Sequence, residues 1–129
     1  MRSSLDNDKS MADVERMLHA HGIKAVVVEG FDGKREPTVV LHNQHFTCYW
    51  PEGDRLRYFD PYGAPPPVPG PWIVERGGVQ SDFVWNDAVR DIQTCGRHVV
   101  YRLKHKDLGE DEYRALLGPY PDVTVLRKT

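Results

Sequence analysis

The chain has 129 residues, which is enough for one domain and too few for two of ordinary size. Hydrophobic residues make up 40% of it and charged residues 28%, which excludes a disordered chain and indicates a globular one. The 17 basic and 19 acidic residues give a formal charge of −2, so bulk binding to nucleic acid is not indicated. The longest apolar run, residues 25–28, is far shorter than the roughly 20 residues that a bilayer span needs.

The start of the chain and its cysteines predict where the protein works. Residues 1–9 are polar, so we expect them to be flexible and to contain no secretory signal. We assign residues 1–129 to one compact domain that includes this flexible terminus. Cys48 and Cys95 are too few for a disulfide scaffold, and we expect two free thiols in a reducing, intracellular compartment. A single structural disulfide between them is the alternative.

The first half of the chain predicts one helix followed by short strands. Ser10 and Asp13 are spaced like a helix N-cap and its capping partner, and apolar residues recur at helical spacing until Gly22. Stretches rich in β-branched and aromatic residues predict four strands, over residues 24–29, 38–41, 45–50 and 55–60. The turn at residues 51–54 joins the last two strands, so we expect them to form an antiparallel hairpin.

The second half predicts a proline-rich loop, an edge strand and three helices. The loop covers residues 61–71, for which a polyproline ligand of a partner domain is the alternative interpretation. An edge strand is predicted over residues 72–75, and helices are predicted over 82–92, from Thr94 as N-cap to about 106, and over 110–117. The fold class we expect is α+β, with a mixed, mainly antiparallel sheet flanked by helices.

Cys95 is placed where a nucleophile would be expected. A cysteine in the first turn of a helix lies at the positive end of the helix dipole, which favours the reactive thiolate. The free N–H groups of that turn are suited to holding a developing oxyanion. A buried structural cysteine is the alternative.

His45 and Asp60 are 15 residues apart but belong to the two strands of the predicted hairpin. His45 opens one strand and Asp60 ends the next, and antiparallel pairing places those two ends side by side. A histidine held by a carboxylate forms the base half of a nucleophilic triad. A surface histidine and a turn-forming aspartate are the alternative.

The order His45-Phe46, then Asp60-Pro61-Tyr62-Gly63, then Cys95-Gly96 resembles the adenovirus-protease and Ulp-type cysteine peptidases. The stretch from Thr94 to Val100 resembles more specifically the adenain-like proteases of large DNA viruses. The resemblance covers about residues 39–103 and implies the cysteine-peptidase architecture of that family.

The resemblance implies a role for each matching residue. His45 would be the general base, Asp60 its orienting carboxylate and Cys95 the nucleophile of a thiol protease that needs no metal or organic cofactor. The family also has an oxyanion-hole glutamine several residues before the cysteine. Here the candidates are Gln93, only two residues before it, and Gln80, far upstream. Phe46 stands where the family has a tryptophan and would keep an aromatic platform.

The implied substrates are polypeptides, either viral precursor proteins or ubiquitin-like modifiers, cut after a small residue. The implied location is the virion or the host-cell cytoplasm, with other virion proteins as further partners. Because the usual glutamine position is apolar, a catalytically weak relative that serves as a virion structural or binding protein is the second hypothesis.

Two other constellations remain open. His42 is a rival base, although strand alternation predicts that it points to the face opposite His45. His45, Cys48, Cys95 and His98 supply the two histidines and two cysteines of a zinc-binding module. That site requires a bulge, because His45 and Cys48 are separated by an odd number of strand positions.

Overall fold

The structure is a computed structural model that describes residues 10–32, 34–76, 78–79 and 94–129. The predictions of a flexible terminus over residues 1–9 and of a helix over residues 82–92 lie outside the described residues, as do Gln80 and Gln93.

Among the described residues, five strands form one sheet in the order β1-β2-β3-β4-β5, which is also their order along the chain. They are β1 (Val26–Glu29), β2 (Thr38–His42), β3 (His45–Glu52), β4 (Arg55–Phe59) and β5 (Trp72–Val74). The central strands β2, β3 and β4 are antiparallel, whereas each edge strand is parallel to its neighbour. The α+β class and the mixed sheet are as the sequence predicts, with the antiparallel pairing confined to the centre.

The two faces of the sheet are both apolar, but different elements cover them. Along β3, Phe46 and Cys48 are buried in the larger core, which they share with the helices. Tyr49 belongs to the opposite face, where it packs with Tyr58 in a smaller aromatic cluster. By the same alternation, His45 points to the face that carries this smaller cluster, at the end of the sheet.

In the part of the chain that the structure describes, four helices accompany the sheet: α1 (Met11–Ala20), α2 (Cys95–Lys104), α3 (Glu110–Leu117) and α4 (Pro121–Lys128). A reciprocal capping box between Ser10 and Asp13 begins α1, as predicted. Helix α2 packs against β3 and also contacts α1 and α4. This packing brings the N-terminus of α2 to the hairpin end that carries His45. Of the helices in the described ranges, none is long and apolar enough to cross a bilayer.

Helix α4 is an element for which the sequence analysis made no assignment. Pro121 is its first residue, a position where proline is favoured because the missing N–H needs no partner there. Asp122 follows in the first turn, where an acidic side chain complements the helix dipole. These two residues are a recognisable helix start, but Val123, Thr124 and Val125 reduce the helical propensity behind it.

A buried ion pair joins α2 to the segment that follows β5. Arg102 is fully buried and forms two hydrogen bonds with Glu75, of 2.8 and 2.6 Å. Its guanidinium also lies over the rings of Trp50 and Tyr113. The backbone carbonyls of His105 and Leu108 accept two further hydrogen bonds from it, so the buried charge is both paired and hydrogen-bonded. This pair fixes α2 against the sheet from the end opposite Cys95.

Candidate active site

His45 and Asp60 are in contact at one end of the hairpin. His45 is the first residue of β3 and Asp60 directly follows β4, and the antiparallel register aligns these ends. His45 Nε2 lies 2.6 Å from Asp60 Oδ1. The predicted contact between the imidazole and the carboxylate is therefore confirmed.

The turn after β4 holds the Asp60 carboxylate in place. Asp60 is 6% exposed, and its Oδ1 accepts a second hydrogen bond from the backbone N–H of Tyr62, at 2.8 Å. The Asp60 carbonyl accepts the N–H of Gly63, also at 2.8 Å. Gly63 has a φ of 82°, a backbone conformation that glycine adopts without steric cost. The carboxylate is thus oriented by the backbone of its own turn before it orients His45.

Cys95 is brought to the same imidazole by the packing of α2. It is the first residue of that helix and is 5% exposed. A side-chain hydrogen bond with Cys95 is among the interactions that raise the pKa of His45. Because Asp60 occupies Nε2, Nδ1 is the ring nitrogen left for the sulfur. The three residues singled out from the sequence thus meet, with the imidazole between the acid and the thiol.

The protonation of His45 is set by these two partners. Burial lowers the pKa of the imidazole, but hydrogen bonds and charge interactions with Asp60 and Cys95 together outweigh that effect and raise the pKa from 6.5 to about 9. The imidazole is therefore a strong enough base to take a proton from a thiol in water, for which the pKa is about 8.5.

Tyr62 provides the aromatic contact with the imidazole. Its ring centroid lies 4.7 Å from that of His45, with 31° between the planes, and the residue is 53% exposed. The predicted platform, Phe46, is instead 2% exposed in the larger core, because adjacent strand residues point to opposite faces. Phe46 contributes its ring to the larger core, and Tyr62 covers one side of His45.

The residues that flank Cys95 are tied to α4. Asp122 Oδ1 accepts a 2.9 Å hydrogen bond from the Thr94 hydroxyl and lies 2.8 Å from His98 Nε2. Thr94 is the N-cap of α2, as predicted, but its side chain makes no capping hydrogen bond to the helix. Burial lowers the pKa of His98, although its hydrogen bond with Asp122 opposes this effect. Asp122 therefore holds the start of α2 at two points, one on each side of the cysteine.

His42 lies on the same face as His45, contrary to the sequence expectation. Strands β2 and β3 are joined by Asn43 and Gln44, which both have positive φ, and the register pairs His42 directly with His45. A two-residue turn reverses the chain, so residues paired across it share a face. The sequence analysis treated His42 and His45 as members of one continuous strand, and this placed His42 on the wrong face of the sheet.

The zinc site considered as an alternative is not formed. The described residues contain no group of three or more His, Cys, Asp or Glu side chains that could hold a metal ion. Cys48 is fully buried on the core face of β3, away from the face of His45, and His98 is directed to Asp122. Both cysteines are free thiols.

The backbone at the start of α2 offers N–H groups of the kind that the sequence analysis considered for an oxyanion. The first helical hydrogen bond runs from the His98 N–H to the Thr94 carbonyl, at 2.8 Å. The amides of Cys95, Gly96 and Arg97 precede that bond, so the helix itself supplies no acceptor for them. The predicted glutamines, Gln93 and Gln80, lie outside the described residues.

Tyr62 and Asp122 are site residues for which sequence reasoning predicted no role. Tyr62 belongs to the quoted Asp-Pro-Tyr-Gly turn, and its position two residues after the carboxylate was an available signal. Asp122 is separated from Cys95 by 26 other residues, and only the contact of α4 with α2 brings it to the site.

Comparisons with protein-family models, with curated proteins and with solved structures found no match for this chain.

Proposed function

We propose that the protein is a cysteine peptidase in which Cys95 is the nucleophile, His45 the general base and Asp60 the orienting acid. The observation that carries this proposal is the position of the His45 imidazole, which interacts with Asp60 through Nε2 and also with Cys95. A nucleophile, a base and a group that orients the base form the minimal arrangement for acyl transfer by a thiol.

The reaction follows from this geometry. His45 takes the Cys95 proton, and the sulfur attacks the carbonyl carbon of the scissile bond. Backbone N–H groups at the start of α2 stabilise the oxyanion. The imidazolium then protonates the leaving amine, the C–N bond breaks and a thioester remains on Cys95. Water, deprotonated by His45, hydrolyses the thioester and restores the free thiol.

The substrate class rests on the resemblance described above. It favours peptide or isopeptide bonds after a small residue, in viral precursor proteins or ubiquitin-like modifiers, and a setting in the virion or the host-cell cytoplasm. The position of Cys95 supports a preference for a small residue, because the thiol is nearly buried and leaves little room beside it.

Thiol labelling and ester hydrolysis test the proposal together. With iodoacetamide, we expect Cys95 to react much faster than Cys48, which is fully buried. With a carbobenzoxyglycine p-nitrophenyl ester, we expect release of p-nitrophenol as Cys95 is acylated, followed by hydrolysis of the acyl-enzyme to carbobenzoxyglycine. Substitution His45→Ala should slow both reactions by about 10²-fold or more. The matched control is His19→Ala, in an exposed part of α1.

Two results would contradict the peptidase proposal. One is sluggish labelling of both thiols at rates that His45→Ala leaves unchanged. The other is hydrolysis of the ester that persists in Cys95→Ser. Either result would favour the second hypothesis, in which the chain is a catalytically weak relative that acts as a virion structural or binding protein.

A further inference from the structure

A cavity of about 160 Å³ lies beside the imidazole, on the sheet face that carries the smaller aromatic cluster. Its walls are formed by Phe31 and Tyr58 from the sheet side and by Ala64, Pro65 and Pro67 from the proline-rich loop. The loop is thus one wall of a pocket, and the sequence analysis gave it no such role.

The cavity is lined by the proposed base and not by the proposed nucleophile. His45 and Asp60 both line it, while Cys95 is not among its lining residues. Cys95 therefore reaches the imidazole from outside the cavity. In the proposed reaction the acyl part of the substrate stays on the sulfur, and the leaving amine is released at His45. The chain beyond the scissile bond would accordingly lie on the side of the cavity.

The chemistry of the walls selects one kind of side chain. Aromatic, proline and alanine surfaces form most of the lining and offer no partner for a charged group. Thr47 and His42 add polar groups at the walls, and the Asp60 carboxylate that also lines the cavity is already engaged by His45 Nε2 and the Tyr62 N–H. A cavity of roughly 150 Å³ accommodates a group of the size of benzene. The pocket therefore fits one compact apolar side chain.

We infer that this cavity is the specificity pocket for the leaving-group side of the substrate, and that it takes a compact apolar side chain just after the scissile bond. The inference rests on the proposed peptidase function, because it needs an acyl group on Cys95 and an amine at His45. It goes beyond that function by assigning a second recognition element, formed by the proline-rich loop.

Partition of the acyl-enzyme between water and added amines tests the pocket. Cys95 is acylated with the carbobenzoxyglycine ester, and the thioester is then offered leucinamide, glycinamide or lysinamide. The amine nitrogen attacks the thioester carbonyl, the C–S bond breaks, and the amine proton passes through His45 to the sulfur. Acyl transfer yields the amide, and hydrolysis yields carbobenzoxyglycine. The three amines have similar α-amino groups, so the yields of the three amide products compare how well their side chains bind in the cavity.

We expect leucinamide to give at least about ten-fold more amide than glycinamide at equal, subsaturating concentration, because a hydrophobic pocket discriminates by this factor. Substitution Ala64→Trp should fill the cavity and remove most of that preference. Val68→Trp is the matched control, since it places the same bulk on the same loop but outside the lining residues. The preference should persist in that variant.

The outcomes separate the two proposals. If Cys95 is not acylated, so that the ester releases no p-nitrophenol, the peptidase function itself is overturned. Normal release with equal yields from leucinamide and glycinamide would overturn the pocket inference alone. So would a higher yield with lysinamide, which would indicate a site for a cation, or a preference that survives Ala64→Trp. Loss of preference only in Ala64→Trp, while that variant still hydrolyses the acyl-enzyme to carbobenzoxyglycine, would support the inference.

Discussion

Replacing Asp60 by asparagine tests the arrangement of the site most directly. The asparagine keeps the shape of the aspartate but loses the charge that His45 Nε2 meets at 2.6 Å. A hydrogen bond to a charged group contributes about 1.5–3 kcal/mol, which corresponds to a fall of about 1 to 2 pH units in the pKa of His45. In the wild-type protein the pKa of His45 is raised to about 9. Asp60→Asn should therefore bring it towards neutrality or below, since burial acts in the same direction.

The titration of the His45 ring carbons, followed by nuclear magnetic resonance, measures this change. Cys95→Ser should lower the pKa of His45 separately, because the sulfur also raises it. Asp54→Asn, in the exposed turn between β3 and β4, is the control and should leave the titration unchanged. Ester hydrolysis by Asp60→Asn should fall by as much as about 10⁴-fold, since an amide can hold the imidazole in the wrong tautomer.

The same contact has a consequence for stability. The pKa of His45 is higher in the folded protein than the 6.5 of a free imidazole. The protonated imidazole therefore adds to the free energy of unfolding, and this contribution is fully present below pH 6.5. It is lost as the pH rises from 6.5 through about 9, and it amounts to about 3 kcal/mol at most. Urea unfolding across this range should show the decline, and Asp60→Asn should flatten it. A wild-type His45 that titrates near 6.5, or a titration unaffected by Asp60→Asn, would refute the reasoning.

Three further variants test the surroundings of the site. Arg102→Ala removes both hydrogen bonds between Arg102 and the buried Glu75 carboxylate, which keeps only its 3.2 Å contact with Arg57, and should lower the free energy of unfolding in urea by about 3 kcal/mol; a loss below about 1 kcal/mol would contradict the importance of the buried pair. Tyr62→Phe should keep the ring over His45 and the rate of ester hydrolysis, whereas Tyr62→Ala should reduce that rate; equal rates in the two variants would show that the ring contributes nothing. Asp122→Asn should weaken the contacts that hold the start of α2, and it should reduce the rate of acylation by more than it reduces the fraction of folded protein. Parallel kinetic and unfolding measurements give the two quantities. An acylation rate that falls only in proportion to the folded fraction would count against this positioning role.

The local elements of the chain are largely determined by its sequence. The hairpin of β3 and β4 follows from a β-rich stretch on each side of a turn that contains Gly53, whose φ of 62° suits that residue. Once that hairpin is assigned, the contact of His45 with Asp60 follows, because antiparallel register places those strand ends together. The start of α2 at Cys95 was likewise predictable from Thr94 before it.

One error shows where local reasoning fails even over a short distance. His42 was assigned to the wrong face because the two-residue turn at Asn43 and Gln44 reverses the chain and restarts the alternation. The error came from treating sequence distance as a guide to orientation without the register of the strands.

The sequence by itself determined the hairpin, the helix that begins at Cys95 and the chemical identity of the three site residues, since propensity, turn chemistry and strand pairing act over a few residues. Only the tertiary structure decided that Cys95 reaches His45, that Asp122 holds the start of α2 and that the proline-rich loop forms a pocket beside His45. These contacts join residues far apart in the chain, and they exist because burial of the apolar face of α2 against β3 fixes where that helix lies.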